Sequence, residues 1–275
     1  MSSCCNRFLD ELRLPIFSVQ DANGKTIDLN KTFASSSNIV RIGKFLLVIF
    51  AISGIILDIL EQDFPSFFLA YLTNWGEVIG ASYLILSFLA AVGVIPVVRG
   101  EDKNSATVWA KIIWGLFAAI ITVQLIIVLV YWLTVYEGDG VTYTIVFGHG
   151  LMFLAVAIDG YILNRTPMRF KQLGLIYLIS VPYTIWTLIH GLATDLGNPY
   201  RVDTGTDDDA LYSVINWNQR PVATFITLAI LNLGAGPLFF ALFWGLSLLI
   251  PNIHLPEKVT DNYEGLESNA HAVLY

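Results

Sequence analysis

Charged residues are scarce in this sequence: Asp, Glu, Lys and Arg make up 13% of its 275 residues, whereas apolar residues make up 55%. Soluble globular proteins contain about 25% charged residues, which cover their surface. The shortage of charge therefore argues against a soluble protein. Because the net charge at pH 7 is −7, we also expect no nucleic acid among its partners.

Cysteine is nearly absent, and the only two residues of this type, Cys4 and Cys5, are adjacent. Neither can link distant parts of the chain, so disulfide bonds do not hold the fold together. The two thiols are either unmodified or S-acylated. Histidines without accompanying cysteines or a His-x₃-His spacing do not form a zinc site, so we expect no metal.

Long stretches without any charge are the main feature of what the sequence does contain. A helix needs about 20 apolar residues to cross the hydrocarbon core of a membrane. Four runs meet this length without a charged residue: 78–98, 112–136, 172–193 and 221–250. Two more runs, 42–60 and 141–163, contain isolated charges. Lys44 and Asp58 lie near the ends of the first, where we expect them to reach the lipid headgroups.

The distribution of positive charge predicts the orientation. With the N-terminus inside, only Arg201 and Arg220 among the 15 Lys and Arg residues fall on the outer side. By the positive-inside rule, both termini are cytoplasmic. The sequence therefore predicts an all-α polytopic membrane protein with six transmembrane helices. We expect a loosely ordered cytoplasmic tail over 1–38, a transmembrane domain over 39–250 and a disordered cytoplasmic tail over 251–275.

Polar residues inside the predicted spans are costly in hydrocarbon and therefore informative. Six of them are predicted at one level near the outer membrane surface: Asp58, Thr73, Asn74, Glu77, His149 and His190. Asp159 lies deeper, and its closeness in sequence to Arg165 and Arg169 suggests that it pairs with them at a helix end.

The six residues allow three interpretations. In the first interpretation, they form an outer cavity in which a histidine acts as base, Thr73 as nucleophile and Glu77 as orienting carboxylate. Alternatively, they only bond neighbouring helices or interfacial water. In the third interpretation His149 and His190 serve as axial ligands of a haem, although we expect no cofactor.

Three motifs resemble the rolling stone family of membrane proteins: Tyr71-Leu72-Thr73-Asn74-Trp75-Gly76, His149 followed ten residues later by Asp159, and the stretch 212–217. We expect the last of these at the membrane interface, where Tyr and Trp are favoured. The resemblance covers about residues 44–249. It implies a plasma-membrane protein, non-enzymatic or of lost activity, that acts in membrane organisation or in cell–cell interaction and fusion, with membrane lipids as partners.

The same pattern is distantly similar to the androgen-induced membrane hydrolases, which cleave fatty-acid esters with an intramembrane threonine and histidine. Leu72-Thr73 matches the residues at that family's threonine. The family's His-Gly-Met-His segment reads His149-Gly150-Leu151-Met152 here, which places Met152 at the position of the catalytic histidine. The alternative function is therefore a lipid-ester hydrolase that uses Thr73 with His149 or His190.

Overall fold

The computed structural model describes residues 9–21, 23–34, 37–99, 102–136, 138, 140–193, 198, 210–212 and 214–255. The predictions made for Cys4, Cys5 and the last twenty residues lie outside this part of the chain. The helices are α1 (Leu29–Phe33), α2 (Asn38–Glu61), a 3₁₀ turn (Pro65–Ala70), α3 (Leu72–Ala91), α4 (Val108–Val135), α5 (Tyr143–Leu163), α6 (Phe170–Leu192) and α7 (Pro221–Leu249). A small antiparallel hairpin of β1 (Val98–Arg99) and β2 (Asp102–Ala106) connects α3 to α4.

Five of these helices, α2 and α4 to α7, are long and apolar enough to cross a membrane. The remaining predicted span corresponds to α3, which has 20 residues but carries polar side chains such as Thr73 and Glu77 near its start. The helix runs antiparallel to α2, since Arg41 at the start of α2 donates to the carbonyl oxygen of Ala91 at the end of α3, at 3.0 Å. The chain is an all-α polytopic membrane protein, as its composition predicts.

Helix α4 is the centre of the bundle, and its small and branched residues are buried on nearly every side. Trp114, Phe117 and Ile120 are fully buried. Helices α2 and α7 lie at the periphery and expose large apolar side chains, such as Leu46 at 58% and Leu249 at 78%. An outer surface of this composition fits lipid rather than water.

A buried ion pair links α2 to α5 in the half of the bundle that the sequence predicts to face the cytoplasm, the inner half. Lys44 Nζ lies 2.8 Å from Asp159 Oδ1 and 2.7 Å from Asn164 Oδ1, while the Ser87 hydroxyl donates to Asp159 Oδ2 at 2.7 Å. Both charged side chains are 1% exposed. Every charged atom of the pair thus has a partner, which is the condition for placing charge in a low-dielectric interior.

This pair corrects two predictions. Lys44 does not reach the headgroups, and Asp159 does not pair with Arg165 or Arg169. The π-helical turn Ile158–Leu163 contains Asp159 and buries it next to Lys44. Each charge considered alone predicts a position at the membrane surface, in contact with water. In the structure the two charges neutralise each other inside the bundle.

The described N-terminal segment packs under the inner end of the bundle, so the prediction of a loose tail is wrong for residues 9–21 and 23–34. Ile27 and Phe33 are fully buried in the core. Arg169, just before α6, pairs with Glu11 at 3.2 Å and donates to the carbonyl oxygens of Ser18 and Gln20. These contacts fix the segment across the start of α6.

The residues after α7 return to this N-terminal segment. The main-chain N–H of Asp28 donates to the carbonyl oxygen of Ile253 at 2.7 Å. The main-chain N–H of Leu255 donates to the carbonyl oxygen of Thr26 at 2.9 Å. The prediction of disorder after Pro251 is thus wrong for residues 251–255. Because the segments before α2 and after α7 meet, the chain crosses the bundle an even number of times, so α3 crosses it with the other five helices.

A pH-dependent contact holds this junction: His254 Nε2 lies 3.0 Å from Asp21 Oδ2. Burial raises the pKa of Asp21, but hydrogen bonds from the Lys25 and Asn23 amides and the contact with His254 outweigh it, so the pKa lies below its ordinary value. The stabilisation is therefore complete above the unfolded-state pKa of about 3.9 and is lost as the pH falls through the lower folded-state value.

We expect Asp21→Asn to accelerate hydrogen exchange at the amides of Asp28 and Leu255 at about pH 6, and the difference from wild type to shrink towards about pH 2 as the carboxyl of Asp21 becomes protonated. Exchange measured by mass spectrometry at both pH values, variant against wild type, tests this. Asp10→Asn is the control, because Asp10 pairs with Arg13 only at the surface. Equal exchange of wild type and Asp21→Asn at the higher pH would contradict the assignment.

Candidate functional site

Two of the predicted site residues meet near the outer end of the bundle. Thr73 lies in the first turn of α3, and His149 lies in a π-helical turn of α5, Phe147–Leu151. Thr73 Oγ1 is 3.1 Å from His149 Nε2. A hydroxyl and an imidazole at this distance have the geometry of a nucleophile and its base.

The other ring nitrogen fixes the tautomer of His149. Nδ1 lies 2.9 Å from the carbonyl oxygen of Ile145. Because a carbonyl oxygen only accepts, Nδ1 of the neutral ring carries the hydrogen, and Nε2 accepts from the Thr73 hydroxyl. The Ile145 carbonyl thereby occupies the orienting position that a carboxylate has in Ser-His-Asp triads.

Aromatic residues of α4 hold the imidazole from the other side. The ring of Tyr131 stacks on the ring of His149 with 3.4 Å between centroids and 19° between planes. The indole N–H of Trp132 donates to the carbonyl oxygen of His149 at 2.8 Å. Both residues lie within the π-helical end of α4, Tyr131–Val135. The base is thus held by its ring face, one ring nitrogen and its main chain.

The local sequence Gly148-His149-Gly150 explains the backbone at this point. His149 has φ −106° and ψ 24°, outside the helical range, and π turns of this kind occur often at functional sites. A Cβ on Gly148 would lie 2.5 Å from Glu77 Oε1 and 2.9 Å from Thr73 Cγ2. Only glycine therefore allows α5 to approach α3 closely enough for the Thr73–His149 hydrogen bond.

We expect Gly148→Ala to push α3 away and to lower any activity of the site by at least about tenfold, since displacements near 1 Å cost about 100-fold. Overpacking should also destabilise the fold by about 1–3 kcal/mol. Activity and thermal unfolding of the purified variant measure both effects. Gly150→Ala is the matched control, because a Cβ there meets nothing within 4 Å. Equal activity of the two variants would contradict this packing argument.

Glu77 is near the pair but does not orient the histidine. Its side chain is 1% exposed and lies beside Gly148, one helical turn from Thr73. Its Oε2 makes no hydrogen bond to any described residue. The group that orients His149 is the carbonyl of Ile145.

His190 has a different environment. It lies on α6, is 1% exposed, and packs against the rings of Phe67 and Trp186, with centroids 5.9 and 5.5 Å away. Both ring nitrogens of His149 are hydrogen-bonded instead, Nε2 to Thr73 and Nδ1 to the carbonyl oxygen of Ile145. The part of the chain that the structure describes has no group of three or more side chains suited to a metal ion.

The remaining predicted polar residues have local structural roles. Asn74 donates to the carbonyl oxygen of Phe68 at 2.6 Å and so caps the turn before α3. The carboxylate of Asp58 accepts a hydrogen bond from the side-chain amide of Gln62 at 3.1 Å. Neither contact joins two transmembrane helices: the Asp58 bond lies at the end of α2, and the Asn74 bond joins α3 to the turn before it.

Met152, which the hydrolase resemblance places at the position of a catalytic histidine, is fully buried. Its Sδ lies 3.2 Å from the position of a Cβ on Gly80, so it fills the contact between α5 and α3. The imidazole that accepts the hydrogen bond of the Thr73 hydroxyl is that of His149 instead.

A cavity of about 330 Å³ opens beside Thr73 and His149. It extends between α4, α6 and α7, and its walls are mainly apolar: they include Val123, Ile127, Ile176, Leu228 and Leu231. Among the described residues that line the cavity, none is Asp, Glu, Lys or Arg. This volume is in the range of cavities that bind small molecules, which is about 300–1,000 Å³.

Sequence reasoning missed several groups at the mouth of this cavity, namely Tyr131, Tyr212 and the carbonyl of Ile145. Tyr212 belongs to the stretch 212–217, whose aromatic residues signal a position at the membrane interface but not a contact with the start of α3. The role of a carbonyl group has no signal in the sequence.

No protein-family model matches this chain, and comparisons with curated proteins and with solved structures give no match. The fold and the site therefore define the class: a multi-pass α-helical membrane protein with a threonine–histidine pair at the mouth of an apolar intramembrane cavity.

Proposed function

We propose that this protein is an intramembrane hydrolase of long-chain lipid esters, with Thr73 as nucleophile and His149 as base. The observation that carries the proposal is the 3.1 Å contact between Thr73 Oγ1 and His149 Nε2 at the mouth of the apolar cavity. A threonine hydroxyl is a weak nucleophile until an adjacent base accepts its proton.

The first half of the reaction forms an acyl-threonine. His149 Nε2 takes the proton of Thr73 as Oγ1 attacks the carbonyl carbon of the ester, and the electron pair of the C=O π bond moves to the carbonyl oxygen. When this pair returns, the bond to the alcohol oxygen breaks. His149 then gives its proton to the leaving alcohol.

The second half regenerates the enzyme with water as the nucleophile. His149 takes a proton from the water as its oxygen attacks the acyl carbon, and the bond to Thr73 Oγ1 breaks. The proton returns to Oγ1, and the fatty acid leaves. The Ile145 carbonyl keeps the imidazole in the same orientation through both halves, as the third member of a triad does.

The cavity favours an aliphatic acyl chain as the part of the substrate that is bound. Leu231 and Val123, from α7 and α4, are among its apolar walls, and burial of each methylene group contributes about 0.8 kcal/mol. The alcohol part of the ester would remain at the outer end, near Thr73. Esters with long acyl chains should therefore be better substrates than acetates.

Hydrolysis of p-nitrophenyl palmitate and p-nitrophenyl acetate by the protein purified in detergent tests this proposal. We expect turnover of the long-chain ester at a rate well above that of the acetate. Absence of turnover of any ester, compared with a mock purification, would contradict it. The rolling stone-like role in membrane organisation and the plasma-membrane location stay predictions, which the described contacts do not bear on.

A further inference from the structure

The described residues around Tyr212, which include Val214 and Ile215, line the cavity just before α7 and add a third polar side chain near Thr73. The hydroxyl oxygen of Tyr212 accepts from the main-chain N–H of Leu72 at 3.1 Å. Leu72 precedes Thr73 in the chain, and Tyr212 and Thr73 both line the cavity. The phenol of Tyr212 therefore lies beside the first turn of α3, which carries the proposed nucleophile.

Several contacts fix this segment. The side chain of Asn198 makes two hydrogen bonds. Its Nδ2 donates to the carbonyl oxygen of Ala210 at 3.0 Å, and its Oδ1 accepts from the hydroxyl of Tyr71 at 3.1 Å. The ring of Tyr71 meets the ring of Tyr212 edge to face, at 5.7 Å. The tyrosine therefore belongs to a built contact with the start of α3.

The contact with Leu72 defines the role of the Tyr212 oxygen. The main-chain N–H of Leu72 donates to it, which occupies one of its lone pairs. The single proton of the phenol is therefore available to an acceptor in the cavity, such as an ester oxygen that arrives beside Thr73.

We propose that Tyr212 is a catalytic residue of the ester hydrolysis, in which its hydroxyl donates a hydrogen bond to the ester carbonyl oxygen as negative charge develops there. This inference rests on the proposed function. The ester carbon must come within bonding distance of Thr73 Oγ1, which brings its carbonyl oxygen within reach of the neighbouring phenol. Tyr212 keeps its proton throughout, while the electron pair of the carbonyl moves to oxygen and returns.

Two features of the surroundings favour this role. Thr73 lies in the first turn of α3, where main-chain N–H groups have no partner within the helix and the helix dipole favours negative charge. Burial raises the pKa of Tyr212, so the phenol remains a donor at neutral pH. The site then contains a nucleophile, a base and a donor for the oxyanion, as acyl transfer requires.

Tyr212→Phe removes only the hydroxyl and keeps the ring contact with Tyr71. We expect kcat for a long-chain p-nitrophenyl ester to fall about 100-fold, as for loss of one oxyanion donor, while KM changes less than about threefold. Tyr161→Phe is the matched control, because the Tyr161 hydroxyl donates to the carbonyl oxygen of Phe243 at 3.1 Å, away from the cavity. Thermal unfolding of both variants shows whether they fold.

A second measurement separates a donor from a merely structural residue. In a thionoester, sulfur replaces the carbonyl oxygen, and sulfur is a weak hydrogen-bond acceptor. Tyr212→Phe should therefore lower hydrolysis of the ester much more than hydrolysis of the matching thionoester. A general disturbance of the site would lower both to the same extent.

The possible results are distinct. A hydrolysing wild type, with a Tyr212→Phe variant that loses activity mainly towards the ester, supports the inference. A hydrolysing wild type with Tyr212→Phe within about threefold of its kcat, or with equal losses on ester and thionoester, overturns the inference and leaves the proposed function intact. A wild type that hydrolyses no ester overturns both.

Discussion

Thr73→Ala is expected to lower ester hydrolysis by at least about 10⁴-fold, because removal of the nucleophile of a catalytic pair leaves only the contribution of binding and of the oxyanion site. The substitution deletes a hydroxyl and a methyl group and should leave the fold intact. Initial rates with a long-chain p-nitrophenyl ester, for protein purified in the same detergent, measure the effect.

Two control variants make this result specific. Thr73→Ser keeps a hydroxyl next to His149 Nε2 and should retain substantial activity. Thr122→Ala removes another buried threonine, whose hydroxyl donates to the carbonyl oxygen of Ala118 within α4, and should behave like wild type. Equal rates for Thr73→Ala and wild type would show that hydrolysis does not use Thr73.

Lys44→Met should destabilise the protein by about 3–5 kcal/mol, the range found when one partner of a buried ion pair is removed. The reason is that Asp159, which is 1% exposed, would be left without its counter-ion in the low-dielectric interior. Thermal unfolding in detergent micelles, followed by circular dichroism, should show a lower midpoint, while the site at the other end of the bundle keeps its geometry.

The double variant Lys44→Met/Asp159→Leu distinguishes lost pairing from lost packing. Replacement of both charges by apolar groups leaves no uncompensated charge and is often neutral or stabilising, so we expect it to recover most of the lost stability. Arg13→Met, which breaks an exposed pair with Asp10, should have almost no effect. A double variant as unstable as Lys44→Met would contradict the pairing argument.

The helices were predictable because lipid imposes a simple rule on sequence: about 20 apolar residues for each crossing. The same rule made polar residues within the spans conspicuous, which is why Thr73 and His149 could be selected without a structure. Helix α3 shows the limit of the rule, since it crosses the bundle although its first turns carry Thr73 and Glu77.

Other features depend on contacts between distant segments and have no local signal. The pair of Lys44 and Asp159 joins residues 115 positions apart. Each residue alone predicts a charged group at the membrane surface rather than a buried ion pair. The tautomer of His149 depends on a carbonyl of its own helix and on a π turn, neither of which follows from hydropathy. Tyr212 contacts the start of α3 although 140 positions separate it from Leu72.

The presence of a catalytic nucleophile at Thr73 is the central claim, and an active-site-directed fluorophosphonate followed by peptide mass spectrometry tests it most directly. The account predicts a single adduct on Thr73 Oγ1 in the wild type, competed by a long-chain ester and absent in His149→Ala. An adduct on another residue, or an unmodified Thr73 in protein that still hydrolyses esters, would contradict it.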